Sequence, residues 1–314
     1  MKFWIFLFLT IFTSVFAQFD LLISRLAETR QMYNPANAGF NNTLDIYVFN
    51  RNTWSPSIWK HQSQVLGVEK ALSQERIGLG GFFVNSQNGL EQKTGALLNS
   101  NYKINLFTGF LCMGLGVGVF QNSLNLKNMN IKDLSDEYAN SPLNHTYVDI
   151  NFGLDYKKKS WNLGVFLKHL NKPKYDYWRY LNEPSQDILM GLNLDKKWKL
   201  SQSIDLYSNL HTEYRIKKAF RSVFLTHFII KDKFSFGIGY RTNKILLSSI
   251  SLDLSEINSV LHGIKLVYSY ERYFGSLSNL LSQNHEIGIV ANISNSENVK
   301  KIKNKKKEVS PLDF

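Results

Sequence analysis

The chain has 314 residues, a formal net charge of +12 and a mean hydropathy of −0.22. These values suit a soluble domain and equally a membrane β-barrel, whose strands are apolar on one face only. The single cysteine, Cys112, excludes an intramolecular disulfide. After the first 17 residues no apolar run approaches 18 residues, so any membrane crossing must be made by strands.

Residues 1–17, MKFWIFLFLTIFTSVFA, have the form of a secretory signal peptide. Lys2 precedes an apolar run, and small or branched residues stand at Val15 and Ala17. The alternative is a transmembrane helix, but that needs about 20 apolar residues and this run is shorter. We therefore predict cleavage after Ala17, so that the mature chain begins at Gln18.

Residues 18–42 precede the first strand and are predicted to form a periplasmic or plug segment. Up to about residue 33 the segment is weakly amphipathic, which fits either a short helix at the periplasmic mouth of a barrel or a disordered leader. Pro35 fixes its own φ and moves Asn34 out of the helical region, so a helix would end there. Gly39 can then reverse the chain.

The next stretch alternates with the period of two that is typical of an extended strand. One face carries apolar residues: Leu44, Ile46 and Val48. The other face mixes charged and aromatic residues: Asp45, Tyr47, Phe49 and Arg51. This pattern predicts a strand with two different surroundings.

The motif NPANAG at residues 34–39, followed by a strand that ends in Arg-x-x-Trp, resembles the N-terminal signature of the PorP/SprF family. These are outer-membrane proteins of the Bacteroidetes type IX secretion system. The likeness continues through residues 78–106, although Asn37 stands where we expect an aromatic residue. The residues that match the motif are Asn34, Pro35, Ala36, Gly39, Arg51 and Trp54.

This resemblance implies a role in the export or surface attachment of secreted proteins such as adhesins, in some cases with gliding motility. It also implies three partners: the outer-membrane lipid, a secreted type IX substrate protein and periplasmic subunits of the secretion complex. The implied localisation is the outer membrane.

Alternating segments recur as far as residue 293 and predict about fourteen strands, an even number that is typical of single-chain bacterial barrels. The predicted strands cover residues 43–52, 60–71, 76–86, 91–105, 108–121, 145–157, 160–171, 186–198, 202–215, 218–230, 233–242, 245–255, 259–273 and 285–293. The predicted fold class is therefore all-β, a transmembrane antiparallel β-barrel over residues 43–293.

The predicted inward faces mix glycine with apolar bulk. Residues 109–121 place Cys112, Gly114, Gly116 and Gly118 on one face, and Phe166 and Leu189 are predicted to face inward as well. This mixture predicts a filled lumen that conducts ions poorly. Aromatic residues at the ends of apolar rows predict an interfacial girdle: Tyr156, Trp161, Tyr240, Tyr268 and Tyr270.

Connector lengths orient the barrel, because surface loops are long and periplasmic turns are short. Residues 122–144, 172–185 and 274–284 are predicted to lie outside, whereas residues 157–160, 231–233 and 255–258 are predicted to be tight periplasmic turns.

The loop 172–185 is a candidate partner-binding loop, because aromatic residues and Arg are enriched at binding hot spots. It carries Tyr175, Tyr177, Trp178, Arg179 and Tyr180 between Pro173 and Pro184. The alternative is that its rings belong to the outer girdle or close the barrel mouth.

Residues 294–314 are polar, rich in lysine and without a packing period, which predicts a basic, disordered periplasmic tail. The tail contributes six lysines and three acidic residues to the net charge. No zinc-finger, helix-turn-helix or RNA-binding signature accompanies it, so we predict no nucleic-acid partner.

No motif for catalysis, a cofactor or a metal ion stands out. The seven histidines lack the spacing of metal ligands, and Asp133, Asp136 and Glu137 lack the spacing of a calcium loop. GLGVG at residues 114–118 lies inside a strand pattern, so it is not predicted to bind a nucleotide. His211 shares a strand face with Asp205, Asn209 and Glu213, as polar rows in a lumen do. We predict no enzymatic activity.

Three functions remain open at this point. The first is a component of type IX protein secretion, which depends on the resemblance. The second is a transporter of hydrophobic small molecules similar to FadL, and the third is a structural porin. The lack of a long N-terminal plug argues against the second, and the filled lumen argues against the third.

Overall fold

A computed structural model describes residues 23–39, 41, 43–54, 61–72, 76–124, 143–174, 186–215, 219–242, 244–256, 261, 263–275 and 283–293. These residues form fourteen strands: β1 (Leu44–Trp54), β2 (His61–Leu72), β3 (Ile77–Asn88), β4 (Glu91–Leu106), β5 (Gly109–Leu124), β6 (Leu143–Lys158), β7 (Trp161–Lys168), β8 (Leu189–Lys199), β9 (Ile204–Arg215), β10 (Ala219–Ile230), β11 (Phe234–Arg241), β12 (Ile245–Asp253), β13 (Ile264–Tyr273) and β14 (Gln283–Ile293). Three short 3-10 turns, Arg30–Met32, Pro35–Asn37 and Leu254–Glu256, are also present.

The strands close into a single antiparallel barrel. Each strand pairs with the next along the chain, and β14 returns to pair with β1, so that Leu44 lies opposite Ile293 and Trp54 opposite Gln283. Closure leaves no unpaired sheet edge, which is the condition for strands to cross a bilayer. The predicted fold class and the number of strands are confirmed. Across the described ranges, the structure contains no helix with the length and apolar character needed to cross a membrane.

Alternation along the strands separates an outer apolar surface from an inner, largely polar one. In β5, every second residue from Cys112 to Phe120 is buried, while Met113, Leu115, Val117 and Val119 are exposed. Exposed Leu, Ile, Val and Phe side chains recur on the outer faces of the other strands and form an apolar belt. Lipid tails require such a surface.

The observed strand bounds differ from the predicted ones mainly at β7 and β13. β7 ends at Lys168 rather than at residue 171, because His169 has a φ of +59° and its N–H donates to the Asn151 side chain (3.1 Å). β13 begins at Ile264 rather than at residue 259. The predicted tight turn at residues 255–258 is therefore wrong, because the connection covers residues 254–263 and contains a 3-10 turn.

The two ends of the barrel have different connections. At one end, which we call the short-turn end, residues 107–108, 159–160, 200–203 and 231–233 join neighbouring strands. The opposite, long-loop end has the connections 125–142 and 169–188. Tyr156 and Trp161 lie beside the 159–160 turn with their ring centroids 5.6 Å apart, and Tyr240 lies near the far end of β11. Tyr268 follows Leu266 on the outer face of β13, so the apolar row of that face ends in Tyr268 and Tyr270.

Candidate functional site

The N-terminal segment, residues 23–39, lies inside the barrel and occupies its lumen. Ile23, Ala36 and Ala38 are fully buried, and Leu26 and Tyr33 nearly so. The segment contains no α-helix in its described part, contrary to the short helix that the amphipathic pattern suggested, and uses two 3-10 turns instead. We call residues 23–39 the plug.

The motif NPANAG forms a capped turn in the middle of the plug. Asn34 has extended backbone and its Oδ1 accepts a hydrogen bond from the Ala36 N–H (3.0 Å), while Pro35 opens the 3-10 turn. This is the arrangement that favours Asn before Pro at the start of a helical turn. The turn holds the Asn34 amide toward the barrel wall, where its Nδ2 donates to the Leu154 carbonyl (3.1 Å).

The motif continues to contact the wall as far as Gly39. The Asn37 Nδ2 donates to Asp155 Oδ2 (3.1 Å), and the Ala38 carbonyl accepts from the Asn101 side chain. Gly39 has a φ of +60° and its N–H donates to Glu69 Oε2 (2.8 Å). A Cβ at Gly39 would meet the backbone of Lys70, so both φ and space favour glycine there.

Glycines of the wall make room for the plug backbone. A Cβ at Gly114 of β5 would meet the backbone of Pro35 and Ala36, and a Cβ at Gly153 of β6 would meet the Asn34 side chain. A Cβ at Gly78 of β3 would meet the Ala38 carbonyl. The sequence predicted a filled lumen from the mixture of inward glycines and apolar residues. In the structure these inward glycines are the surface against which the plug packs.

A buried cluster of charges fastens the start of the plug to β1, β11, β13 and β14. The Ser24 N–H donates to Glu286 Oε2 (3.0 Å), and the Ser24 hydroxyl donates to Glu271 Oε1 (2.6 Å). Glu271 also forms ion pairs with Arg51 (2.5 Å) and Arg241 (2.6 Å). Two arginines are therefore balanced by two glutamates, as the burial of charge requires.

A second set of contacts joins the plug to β8, β9, β10 and β12. Arg25 forms an ion pair with Glu28 of the plug, and its Nη1 is 2.9 Å from His227 Nε2. Arg30 donates to the Tyr207 hydroxyl (2.7 Å), which in turn donates to Asp195. Burial by itself would raise the pKa of Glu28, but the attraction and hydrogen bond of Arg25 lower that pKa overall.

The motif residues outside the plug play different parts in the structure. Arg51 belongs to the buried charge cluster, whereas Trp54 is the last residue of β1. The candidate partner-binding loop, with Tyr175, Tyr177, Trp178, Arg179 and Tyr180, lies outside the described residues, and so do residues 1–22 and the basic tail. Sequence reasoning missed Ser24, Glu271 and Glu286, because their signal is only a polar residue in an alternating row.

The inward-facing His211 of β9 is enclosed by aromatic rings and lies beside Glu213. His211 lies between the rings of Tyr33 and Phe166, with centroids 4.9 and 5.5 Å away, and its Nε2 is 3.3 Å from Glu213. Glu213 also pairs with Arg221. In the part of the chain that the structure describes, no group of three His, Cys, Asp or Glu residues is arranged to hold a metal ion.

Comparison with family models identifies one match. Residues 15–290 match the family described as "Type IX secretion system membrane protein PorP/SprF". No curated protein matches the chain.

Solved structures with a similar fold are outer-membrane barrels and channels. The CymD monoaromatic hydrocarbon channel has a TM-score of 0.50 and 10% identity, over 90% of this chain and 95% of that one. The outer membrane protein Omp33 of Acinetobacter baumannii has a TM-score of 0.48 and 5% identity, over 81% and 100%. The toluene transporter TodX of Pseudomonas putida has a TM-score of 0.47 and 8% identity, over 86% and 93%. At 10% identity, the likeness to CymD concerns the fold alone.

Proposed function

Because the chain belongs to the PorP/SprF family of type IX secretion system membrane proteins, we propose that it is a non-enzymatic barrel component of this system, needed for the export or surface attachment of secreted proteins such as adhesins. The family match over residues 15–290 carries the proposal. In this proposal the barrel is a partner of the secreted protein and of periplasmic subunits of the secretion complex, and in some cells it serves gliding motility.

Because the plug occupies the lumen, the barrel is better suited to bind the secreted protein than to let it pass through. The plug makes contacts with strands on every side of the barrel, from Glu69 of β2 through Asp155 of β6 to Glu271 of β13. A folded substrate cannot share the lumen with this segment. We therefore infer that the secreted protein contacts the barrel from outside the lumen and that purified barrel conducts ions poorly.

The polar wall disfavours transport of hydrophobic molecules. Its buried residues include Asp45, Arg51, Glu69, Asp149, Glu213 and Arg241, so charged side chains stand among the apolar ones that face the lumen. The sequence argued against transport through the lack of a long N-terminal plug, and the segment that lies in the lumen, residues 23–39, is short. Charge in the lumen adds a second physical reason.

The protein is an outer-membrane barrel, and we propose that it reaches that membrane with a signal peptide cleaved after Ala17. We further propose that residues 18–42 are the plug region and that residues 294–314 are a basic periplasmic tail.

Deletion of the gene tests the proposed function. We expect surface and secreted proteins to be depleted in the deletion strain and restored by the full chain supplied in trans. An unchanged set of surface and secreted proteins, in cells that no longer make the barrel, would refute it. As a second measurement, large and stable single-channel steps in planar bilayers would favour a porin.

A further inference from the structure

A cavity of about 420 Å³ opens at the short-turn end of the barrel. Its mouth is lined by Lys158 at the end of β6, by Lys159 of the following turn and by the strand ends at Asp45 and Asn292. Its inner side is lined by Arg25, Glu28 and Arg30 of the plug. Its volume lies in the range of ligand sites. Anything that enters it reaches the plug directly.

The charges that line this cavity are unbalanced. Eight basic and five acidic side chains contribute, a formal excess of three positive charges. The acids inside it already have donors within the protein: Glu28 pairs with Arg25, Asp195 accepts from Tyr207, and Glu69 accepts from the Gly39 N–H. Asp45 accepts from Asn292 (2.8 Å) as well, so four of the five carboxylates are committed to the barrel and plug. Of the lysines, Lys197 pairs with Asp205 outside the cavity (2.8 Å), and the others carry the excess charge.

The lysines at the mouth are available to a ligand. Lys158 and Lys159 are exposed, and neither has an acidic partner among the described residues. The Nζ of Lys196 lies 3.4 Å from the Ser160 hydroxyl. A cleft lined by one excess sign of charge concentrates ligands of the opposite sign.

The chemistry and position of the cavity select its occupant. The chain's own tail follows β14 at this end, but residues 294–314 contain six lysines against three acids, so the tail would be repelled. The lining residues belong to the inner face of the wall and to its rim, whereas lipid covers the outer face, so a lipid headgroup would have to leave the membrane surface. A peptide can enter along the barrel axis, where it meets the exposed Lys158 and Lys159 first.

We propose that this cavity is a docking site for an acidic peptide segment of a partner protein, held by Lys158, Lys159 and Lys196 and in reach of the plug. The site belongs to the short-turn end and does not depend on the role of the barrel in secretion. The partner is defined by its chemistry, a run of Asp or Glu side chains on an extended chain.

The test is binding of a fluorescein-labelled hexaglutamate peptide to the purified full-length protein in a neutral detergent, measured by anisotropy, with hexaglutamine as the neutral probe. We expect hexaglutamate to bind and hexaglutamine not to bind. Added salt should weaken the binding, because screening acts on exposed charges. Lys158→Gln with Lys159→Gln should weaken binding about fivefold, since each exposed ion pair is worth only about 0.2–1 kcal/mol.

Two other lysines provide the matched control. Lys199 and Lys231 are exposed at the same end of the barrel but do not line the cavity. Lys199→Gln with Lys231→Asn removes the same charge and should leave affinity within twofold, Asn being chosen because Lys231 has a φ of +52°.

Three results would overturn the proposal. Equal weakening in both double variants would show attraction by net charge without a site. Equal affinity for hexaglutamine would show that carboxylates are not recognised. Displacement of hexaglutamate by phosphatidylglycerol in mixed micelles, lost in the Lys158/Lys159 variant, would assign the cavity to a lipid headgroup. Each protein must keep the gel migration of the folded barrel, and none of these results depends on secretion.

Discussion

The contact between Gly114 and the plug allows a sharp test of how the lumen is closed. A Cβ at Gly114 would lie within 3 Å of backbone atoms of Pro35 and Ala36, and backbone cannot rotate aside as a side chain can. We predict that Gly114→Ala loosens the plug while leaving the barrel closed, because the strand pairing of β5 is made by backbone groups that the substitution keeps.

Two opposing terms decide the magnitude. Overpacking a filled interior costs about 1–3 kcal/mol, whereas alanine is favoured over glycine inside a strand by roughly 0.5–1 kcal/mol. The second term stabilises the barrel with the plug in or out, so the first term alone shifts the plug equilibrium. A shift of about 2 kcal/mol raises the population of the displaced plug about 30-fold, at about 1.4 kcal/mol per factor of ten.

Cys112 provides the assay. It is the only cysteine of the chain, is 0% exposed and lies on the inner face of β5, two residues before Gly114. Its neighbour across the strands is Asp155, which Asn37 of the plug contacts. A small thiol reagent should therefore label folded wild-type protein slowly and label Gly114→Ala about 30-fold faster.

Two further variants provide a second test and a control for this experiment. Gly153→Ala, whose Cβ would meet the Asn34 side chain from β6, should also speed labelling, although it is farther from Cys112. Gly81→Ala is the matched control, since its Cβ would meet only the flexible end of Leu98 at 2.9 Å and the Leu97 carbonyl at 3.3 Å. Wild-type labelling rates in both Gly114→Ala and Gly153→Ala would refute the plug packing.

Three further predictions concern the charge cluster, the long loop and the N-terminus. Glu271→Gln leaves two buried arginines short of a counter-charge and should lower the free energy of unfolding by about 3–5 kcal/mol. The measurement is the temperature at which the folded band is lost on a gel, which should fall. Asp205→Asn, at a partly exposed pair with Lys197, should cost less than about 1 kcal/mol. An equal loss of stability in both variants would contradict the proposed contribution of the charge cluster to the stability of the barrel. Trp178→Ala with Tyr180→Ala should leave the barrel assembled and lower the surface level of the secreted protein, and an assembled variant with normal surface display would exclude this loop as the main docking site. Mass spectrometry of the mature protein should find Gln18 at the N-terminus, and an intact Met1 would exclude cleavage after Ala17.

The sequence determined the barrel because the alternation of side chains is a local property. A run such as Leu111 to Val119 has to place its apolar residues on one side whatever its neighbours do, and fourteen such runs require closure. The motif around Asn34 and Pro35 was also readable, since proline and the residue before it have restricted backbones. Strand ends were less readable. His169 ends β7 through a left-handed conformation, which sequence patterns do not show for histidine.

Only the tertiary structure decided what fills the barrel. The partners of the plug lie far away in sequence: Ser24 is 247 residues from Glu271, and Asn34 is 120 residues from Leu154. No local pattern distinguishes a glycine that leaves space for a segment from one that merely lines a lumen, so Gly114 could be placed on the inner face but not against Pro35. The same holds for charge. Arg51 and Glu271 each looked like one polar residue in an alternating row, and only closure of β14 onto β1 brings them together as an ion pair.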